Sequence, residues 1–129
     1  MAQAKILIVE DEKDVVELIR YNLDKAGYLT DAALTGRQAL EQALDNRPDL
    51  ILLDIMLPEM DGLQVCDNLK ENPATAAIPV VMLTAKSTPE DIIKGFQMRA
   101  DDYITKPFSP RDLLARIQAV LQRKIINAK

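Results

Sequence analysis

Histidine is absent from this chain of 129 residues. That absence excludes Ser-His-Asp and Cys-His catalysis and every histidine metal site. Any chemistry must run on carboxylates, hydroxyls and lysines. Cysteine occurs once, as Cys66, so an internal disulfide is excluded as well. Cys66 aligns with Leu63 and Leu69 at helical spacing and reads as a buried core thiol. No apolar run approaches the roughly 20 residues needed to cross a bilayer. The N-terminus, Met1-Ala2-Gln3-Ala4-Lys5, lacks the charged-then-apolar layout of a signal peptide. A cytoplasmic protein is expected. A basic excess is also missing. The net charge of -4 argues against nucleic acid as a direct partner of this domain.

What remains is an ordinary globular composition, 48% apolar and 28% charged, in a chain long enough for one domain with a real core. We expect a single domain over residues 1–129, with its core at about 5–122 and a short tail at 123–129. Strand and helix patterns alternate five times, with no linker and no low-complexity stretch. Strands are expected at about Lys5–Glu10, Tyr28–Ala33, Asp49–Asp54, Val80–Thr84 and Asp102–Thr105. The first helix, about Lys13–Ala26, has an apolar stripe of Val15, Val16, Leu18, Ile19 and Leu23, with Gly27 in the stop position. Thr35 reads as the cap of a second helix to about Asn46. A loop at Leu57–Gly62 leads into a third helix to about Glu71. Thr88-Pro89-Glu90 opens a fourth that ends near Met98, with proline at its first position. Ser109-Pro110-Arg111-Asp112 opens the last. Such alternation calls for a doubly wound α/β domain, a parallel sheet with helices on both faces. Strands one, three and four are continuously apolar, as strands buried on both sides must be, and the more polar second strand fits an edge.

The polar singularities sit where apolar strands stop. Val9 runs into Glu10-Asp11-Glu12, Leu53 into Asp54, Leu83 into Thr84, and Ile104-Thr105 into Lys106-Pro107. If the strands are parallel, these groups share the sheet edge where open α/β sheets place their ligand crevices. A hard cation such as Mg²⁺ takes oxygen ligands and keeps several waters, so one acid of the Glu10–Glu12 turn with Asp54 would suffice. The bland alternative is that Asp11 or Glu12 only caps the following helix. Asp54, ending an apolar run, needs a partner to be tolerated, and Lys106 can supply one. A carboxylate beside a cation and an ammonium is also a credible nucleophile toward phosphorus, with Thr84 binding phosphoryl oxygens and Lys106 neutralising developing charge. Phosphatases with an aspartate nucleophile commonly carry a second acid two residues later. Met56 stands there, which counts against a turnover hydrolase. A flavin-binding electron carrier of similar fold is the other rival, and the three acids after strand one would repel its phosphate.

Four stretches carry a family resemblance: Ile6–Glu12, Pro48–Gly62, Ile78–Ala85 and Ala100–Phe108. In this order they resemble the receiver domain of bacterial two-component response regulators over about Lys5 to Gln122. The likeness is nearest to receivers of winged-helix transcription factors. It implies a flavodoxin-like sheet of order 2-1-3-4-5 with five helices. It also implies that Asp54 accepts a phosphoryl group from a sensor histidine kinase or histidine phosphotransfer protein. Glu10, Asp11, Asp54 and the Met56 backbone carbonyl would hold Mg²⁺, and no other cofactor is implied. Thr84 and Lys106 would bind the phosphoryl group, and Tyr103 would turn inward as Thr84 moves. The resemblance implies a signalling module rather than a turnover enzyme. Output would pass through the face of the 88–98 helix, the fifth strand and the last helix. There Ile93, Phe96 and Ala115 match an apolar dimer patch, and Asp102 with Arg116 matches an ion pair.

Two features depart from the family pattern. Ile92 and Gln118 stand where cations are usual in the dimer face. Arg99 stands where the family has a glycine, in a left-handed position that costs arginine on the order of 1 kcal/mol. The fourth helix is therefore expected to end differently or to be less stable. The chain stops soon after the last helix, as expected of a free-standing receiver or a domain cut from a longer regulator.

Overall fold

The computed structural model describes residues 3–85, 93 and 99–128. Its elements are β1 (Lys5–Val9), α1 (Lys13–Lys25), β2 (Leu29–Ala33), α2 (Gly36–Asn46), β3 (Leu50–Asp54), α3 (Gly62–Glu71), β4 (Val80–Thr84), β5 (Asp102–Thr105) and a C-terminal helix (Pro110–Ala128). The five strands form one sheet in the order β2-β1-β3-β4-β5, and every adjacent pair is parallel. The helix expected at 88–98 lies outside the described residues except for Ile93, which is helical.

The strand sequences explain the two cores. Successive side chains of a strand point to opposite faces, so the continuous apolar runs feed both. Leu7, Val9, Ile51, Leu53, Val80 and Met82 join Ala39 and Ala43 of α2 and Val65, Cys66 and Leu69 of α3. Ile6, Ile8, Leu50, Leu52, Val81 and Leu83 join Val16, Ile19 and Leu23 of α1 and Leu113, Ile117 and Val120 of the C-terminal helix. Most of these side chains are fully buried, each contributing about 1.5–3 kcal/mol relative to exposure. Cys66 is among them, and burial pushes its thiol up to about 11.

Local signals set the element ends. Thr35 caps α2, its side chain accepting from the Gln38 N–H at 3.1 Å. Gly27 stops α1 in a left-handed conformation, φ 97°. Ser109 caps the last helix by accepting from the Asp112 N–H at 3.0 Å. The C-terminal helix continues to Ala128, so most of the stretch expected as a short tail at 123–129 is helical. Nothing between Leu121 and Ala128 is a glycine or proline that would stop it. Arg99 takes the left-handed conformation, φ 67°, and the end of the helix before it lies outside the described residues. The Arg99 guanidinium reaches the Glu71 carboxylate at 2.8 Å.

Gly62 places the start of α3. A Cβ there would collide with the carbonyl oxygen of Asp54 and come within 2.7 Å of the Ile55 Cα. Only glycine lets the helix begin this close to the end of β3. Asp61 and Gln64 close a capping box at that start, satisfying two helix-end donors reciprocally.

Candidate functional site

Because β1, β3, β4 and β5 are parallel, their C-terminal ends share one edge, and the strand-end groups converge there. One carboxylate oxygen each from Glu10, Asp11 and Asp54 lie within 4.8 Å of one another. The Lys106 ammonium stands between two of these acids, 3.0 Å from Glu10 Oε2 and 3.3 Å from Asp54 Oδ2. The second oxygen of Asp54 accepts from the Met56 N–H at 3.1 Å. Glu10 Oε1 accepts a longer bond from the Glu12 N–H, at 3.4 Å. Lys106 itself is tied to β4, its N–H donating to the Thr84 carbonyl at 2.7 Å. The Lys106-Pro107 peptide is cis.

Glu10 and Thr84 are fully buried and Asp54 is nearly so, whereas Asp11 is exposed. The site is thus a pit of buried charge with one acid at its rim. Burial above all, and then the Asp54 carboxylate beside it, raise the Glu10 carboxyl to about 7, with Lys106 only partly offsetting them. Burial works against the Lys106 charge too, yet Glu10 and Asp54 outweigh it and hold the ammonium above its ordinary value. Three carboxylates face one ammonium, so the site carries uncompensated negative charge. That imbalance fits a divalent cation. The donors are all hard oxygens, which suit Mg²⁺, Ca²⁺ or Mn²⁺. Zinc would call for nitrogen or sulfur ligands, and Cys66 is buried in the core between α3 and the sheet.

Every strand-end residue singled out in the sequence is brought to this edge. Asp11 and Glu12 separate in role. Asp11 joins the acidic cluster, and Glu12 occupies the N-cap position of α1 without a side-chain cap bond. Met56 is 57% exposed at the mouth. Tyr103, read as a side chain that turns inward, is buried, in the same cluster as Met82 and Ala100. Ile93 is exposed. Phe96 lies outside the described residues. Asp102 and Arg116, matched above to a dimer ion pair, meet within one chain at 3.2 Å, and Arg116 also pairs with Asp112.

Sequence reasoning missed the opposite end of the sheet. The Lys70 ammonium, almost wholly buried, donates to the Ile78 carbonyl at 2.8 Å and the Ala76 carbonyl at 3.2 Å, and faces Asp101 at 3.7 Å. Asp101 is locked to Val80 twice, by its own N–H at 2.7 Å and by its carboxylate at 2.8 Å. Nothing in the local pattern marks Lys70 as more than a surface charge.

The response regulator receiver domain family model matches residues 6–118. The chain is 47% identical over 124 residues to the alkaline phosphatase synthesis transcriptional regulatory protein PhoP of Bacillus subtilis, covering 96% of this chain and 51% of that protein. It is 48% identical over 123 residues to the phosphate regulon transcriptional regulatory protein PhoB of Pseudomonas aeruginosa, covering 95% of this chain and 54% of that one. The chain therefore spans about half the length of these curated relatives. The crystal structure of the Vibrio cholerae chemotaxis protein CheY4 superposes with a TM-score of 0.88 at 33% identity, over 92% of this chain and 99% of that one.

Proposed function

The chain belongs to the response regulator receiver domain family, and from that premise we propose that Asp54 is the phosphoacceptor of a two-component relay. The observation that carries the reading is the imbalance at the strand ends. Two nearly buried carboxylates and a third at the rim share one ammonium. Such a site gains when a cation and a phosphoryl group enter together. Glu10, Asp11 and Asp54, with the Met56 carbonyl, hold Mg²⁺ in this reading. Bound there, Mg²⁺ supplies the charge neutralisation that lets an anionic phosphoryl group approach carboxylates.

A carboxylate oxygen of Asp54 attacks the phosphorus of a phosphohistidine on a sensor kinase or phosphotransfer protein. The new bond is O–P, the N–P bond breaks, and its electron pair returns to the imidazole. Lys106 pairs with the transferred group, and the Thr84 hydroxyl binds one of its oxygens. The Met56 N–H holds the carboxylate in orientation. No second acid follows Asp54 at residue 56, which supports a stoichiometric acceptor rather than a turnover enzyme. Water returns Asp54 to the free carboxylate slowly. The net negative charge supports protein partners over direct nucleic-acid contact. No helix of the described residues is long and apolar enough to cross a membrane.

Incubation with acetyl phosphate and Mg²⁺ tests the assignment. Intact-mass spectrometry is expected to show one added phosphate on the parent, none without divalent cation, and none on Asp54→Asn. Equal labelling of parent and variant overturns it. For output, the face of β5 and the C-terminal helix, with the exposed Ile93, forms a two-fold homodimer when Asp54 is modified. Sedimentation with and without beryllofluoride decides that part. A monomer in both states at high concentration rejects the dimer.

A further inference from the structure

We propose that α3 is a second mechanical link between Asp54 and β5, so that the start of β5 responds to Asp54 through Lys70 and Glu71 while its end responds through Lys106. The proposal rests on reading Asp54 as the phosphoacceptor. Helix α3 meets Asp54 with no slack. The missing side chain of Gly62 faces the Asp54 carbonyl oxygen, and the Gly62 N–H donates to the Ile55 carbonyl at 2.8 Å. The helix is stiff between its ends. A capping box fixes its first turn, Val65, Cys66 and Leu69 bury one face, and ten residues carry it about 15 Å at the usual rise.

At its far end α3 grips the segment that enters β5. Glu71 holds Arg99 at 2.8 Å. Lys70 faces Asp101, which is itself bonded in both directions to Val80 at the start of β4. Asp102 and Tyr103 follow directly. A displacement at Asp54 thus has a contiguous packed route to the base of Tyr103, independent of Thr84 and Lys106 at the other end of the strand. Packed elements of this kind move as units between discrete arrangements, and a route is established only by a measured coupling.

The measurement is amide chemical-shift change on adding beryllofluoride with Mg²⁺ to the ¹⁵N-labelled chain, in the parent, Lys70→Met and Glu71→Gln. In the parent, shifts are expected near Asp54, at Ile55 and Leu57, and remotely, at Asp101–Tyr103. Lys70→Met is expected to keep the near shifts while the remote ones fall to about half or less, a loss of coupling between sites. Glu71→Gln, a surface change that leaves the core intact, is expected to reduce the remote shifts by less, most at Arg99. Denaturation midpoints are measured alongside. A purely structural Lys70 lowers the midpoint and leaves the remote response undiminished, and that result overturns the proposal. Full remote shifts in both variants overturn it too. Absence of near shifts in the parent overturns the phosphoacceptor reading and the link with it.

Discussion

Lys106 at the C-terminal end of the sheet and Lys70 at the opposite end both hold charge largely away from water, with side-chain exposures of 20% and 9%. Their surroundings differ in kind. Lys70 meets two neutral carbonyls and one carboxylate, and that carboxylate is already satisfied by a backbone N–H. Positive and negative charge balance there. Lys106 meets two carboxylates while a third waits at the rim. One end is a closed structural knot, and the other is held short of neutrality. Burial of charge alone does not distinguish a working site from a scaffold; the sign and size of the imbalance does.

The largest expected effects contrast these ends by sign. Lys70→Met strands the Ala76 and Ile78 carbonyls and leaves Asp101 without its cation, so we expect a loss of about 2–3 kcal/mol, as for buried polar groups deprived of partners. Glu10→Gln removes one of the crowded charges and is expected to stabilise the metal-free domain by about 1 kcal/mol, with that gain cancelled in Mg²⁺. Urea denaturation with and without Mg²⁺ reads both. If Glu10→Gln destabilises the metal-free domain as Lys70→Met does, the two ends are alike and the contrast fails.

The second effect lies within the acidic turn and sharpens what belongs to the unbalanced end. Asp11 shares the cluster with Glu10 and Asp54, whereas Glu12 only turns its N–H toward Glu10. Asp11→Asn is expected to weaken Mg²⁺ binding about tenfold or more, the loss of a direct anionic ligand. Glu12→Gln is expected to change it less than about twofold, as a screened neighbouring charge. Metal titration followed by a spectroscopic signal reports both constants. Equal losses would remove Asp11 from the cluster's special role.

The same contrast explains what was legible in the sequence. The strand-end set of Glu10, Asp11, Asp54, Thr84 and Lys106 could be read because each interrupts an apolar run, and parallel alternation alone brings those interruptions to one edge. The two-sided core followed from the uninterrupted β1, β3 and β4. Lys70 and Asp101 could not be paired in advance. Both are charged residues in ordinary polar surroundings, 31 positions apart by their numbers, and only the third dimension joins them. The left-handed Arg47 and Glu59, φ 43° and 65°, carry no glycine to announce them. The capping box of Asp61 and Gln64 was visible in principle, as an acid three residues before a glutamine at a helix start.

Arg99 offers the smallest effect and the finest probe of the balanced end. Its left-handed backbone disfavours a side chain by about 1 kcal/mol, while an exposed ion pair such as the one with Glu71 returns roughly 0–1 kcal/mol. Arg99→Gly removes both terms at once, so its net effect is expected to be a gain of no more than about 0.5 kcal/mol. Glu71→Gln removes the pair alone and leaves the strain. In that background Arg99→Gly has only strain to relieve, and the gain should rise to about 1 kcal/mol. Urea denaturation of the parent, the two single variants and the double variant closes this cycle. If Arg99→Gly gains as much with Glu71 present as with Gln there, the ion pair contributes nothing and α3 does not hold the entry to β5 through Glu71. If it destabilises in both backgrounds, the Arg99 side chain makes a contribution other than this pair, and the knot extends further than Lys70 and Asp101.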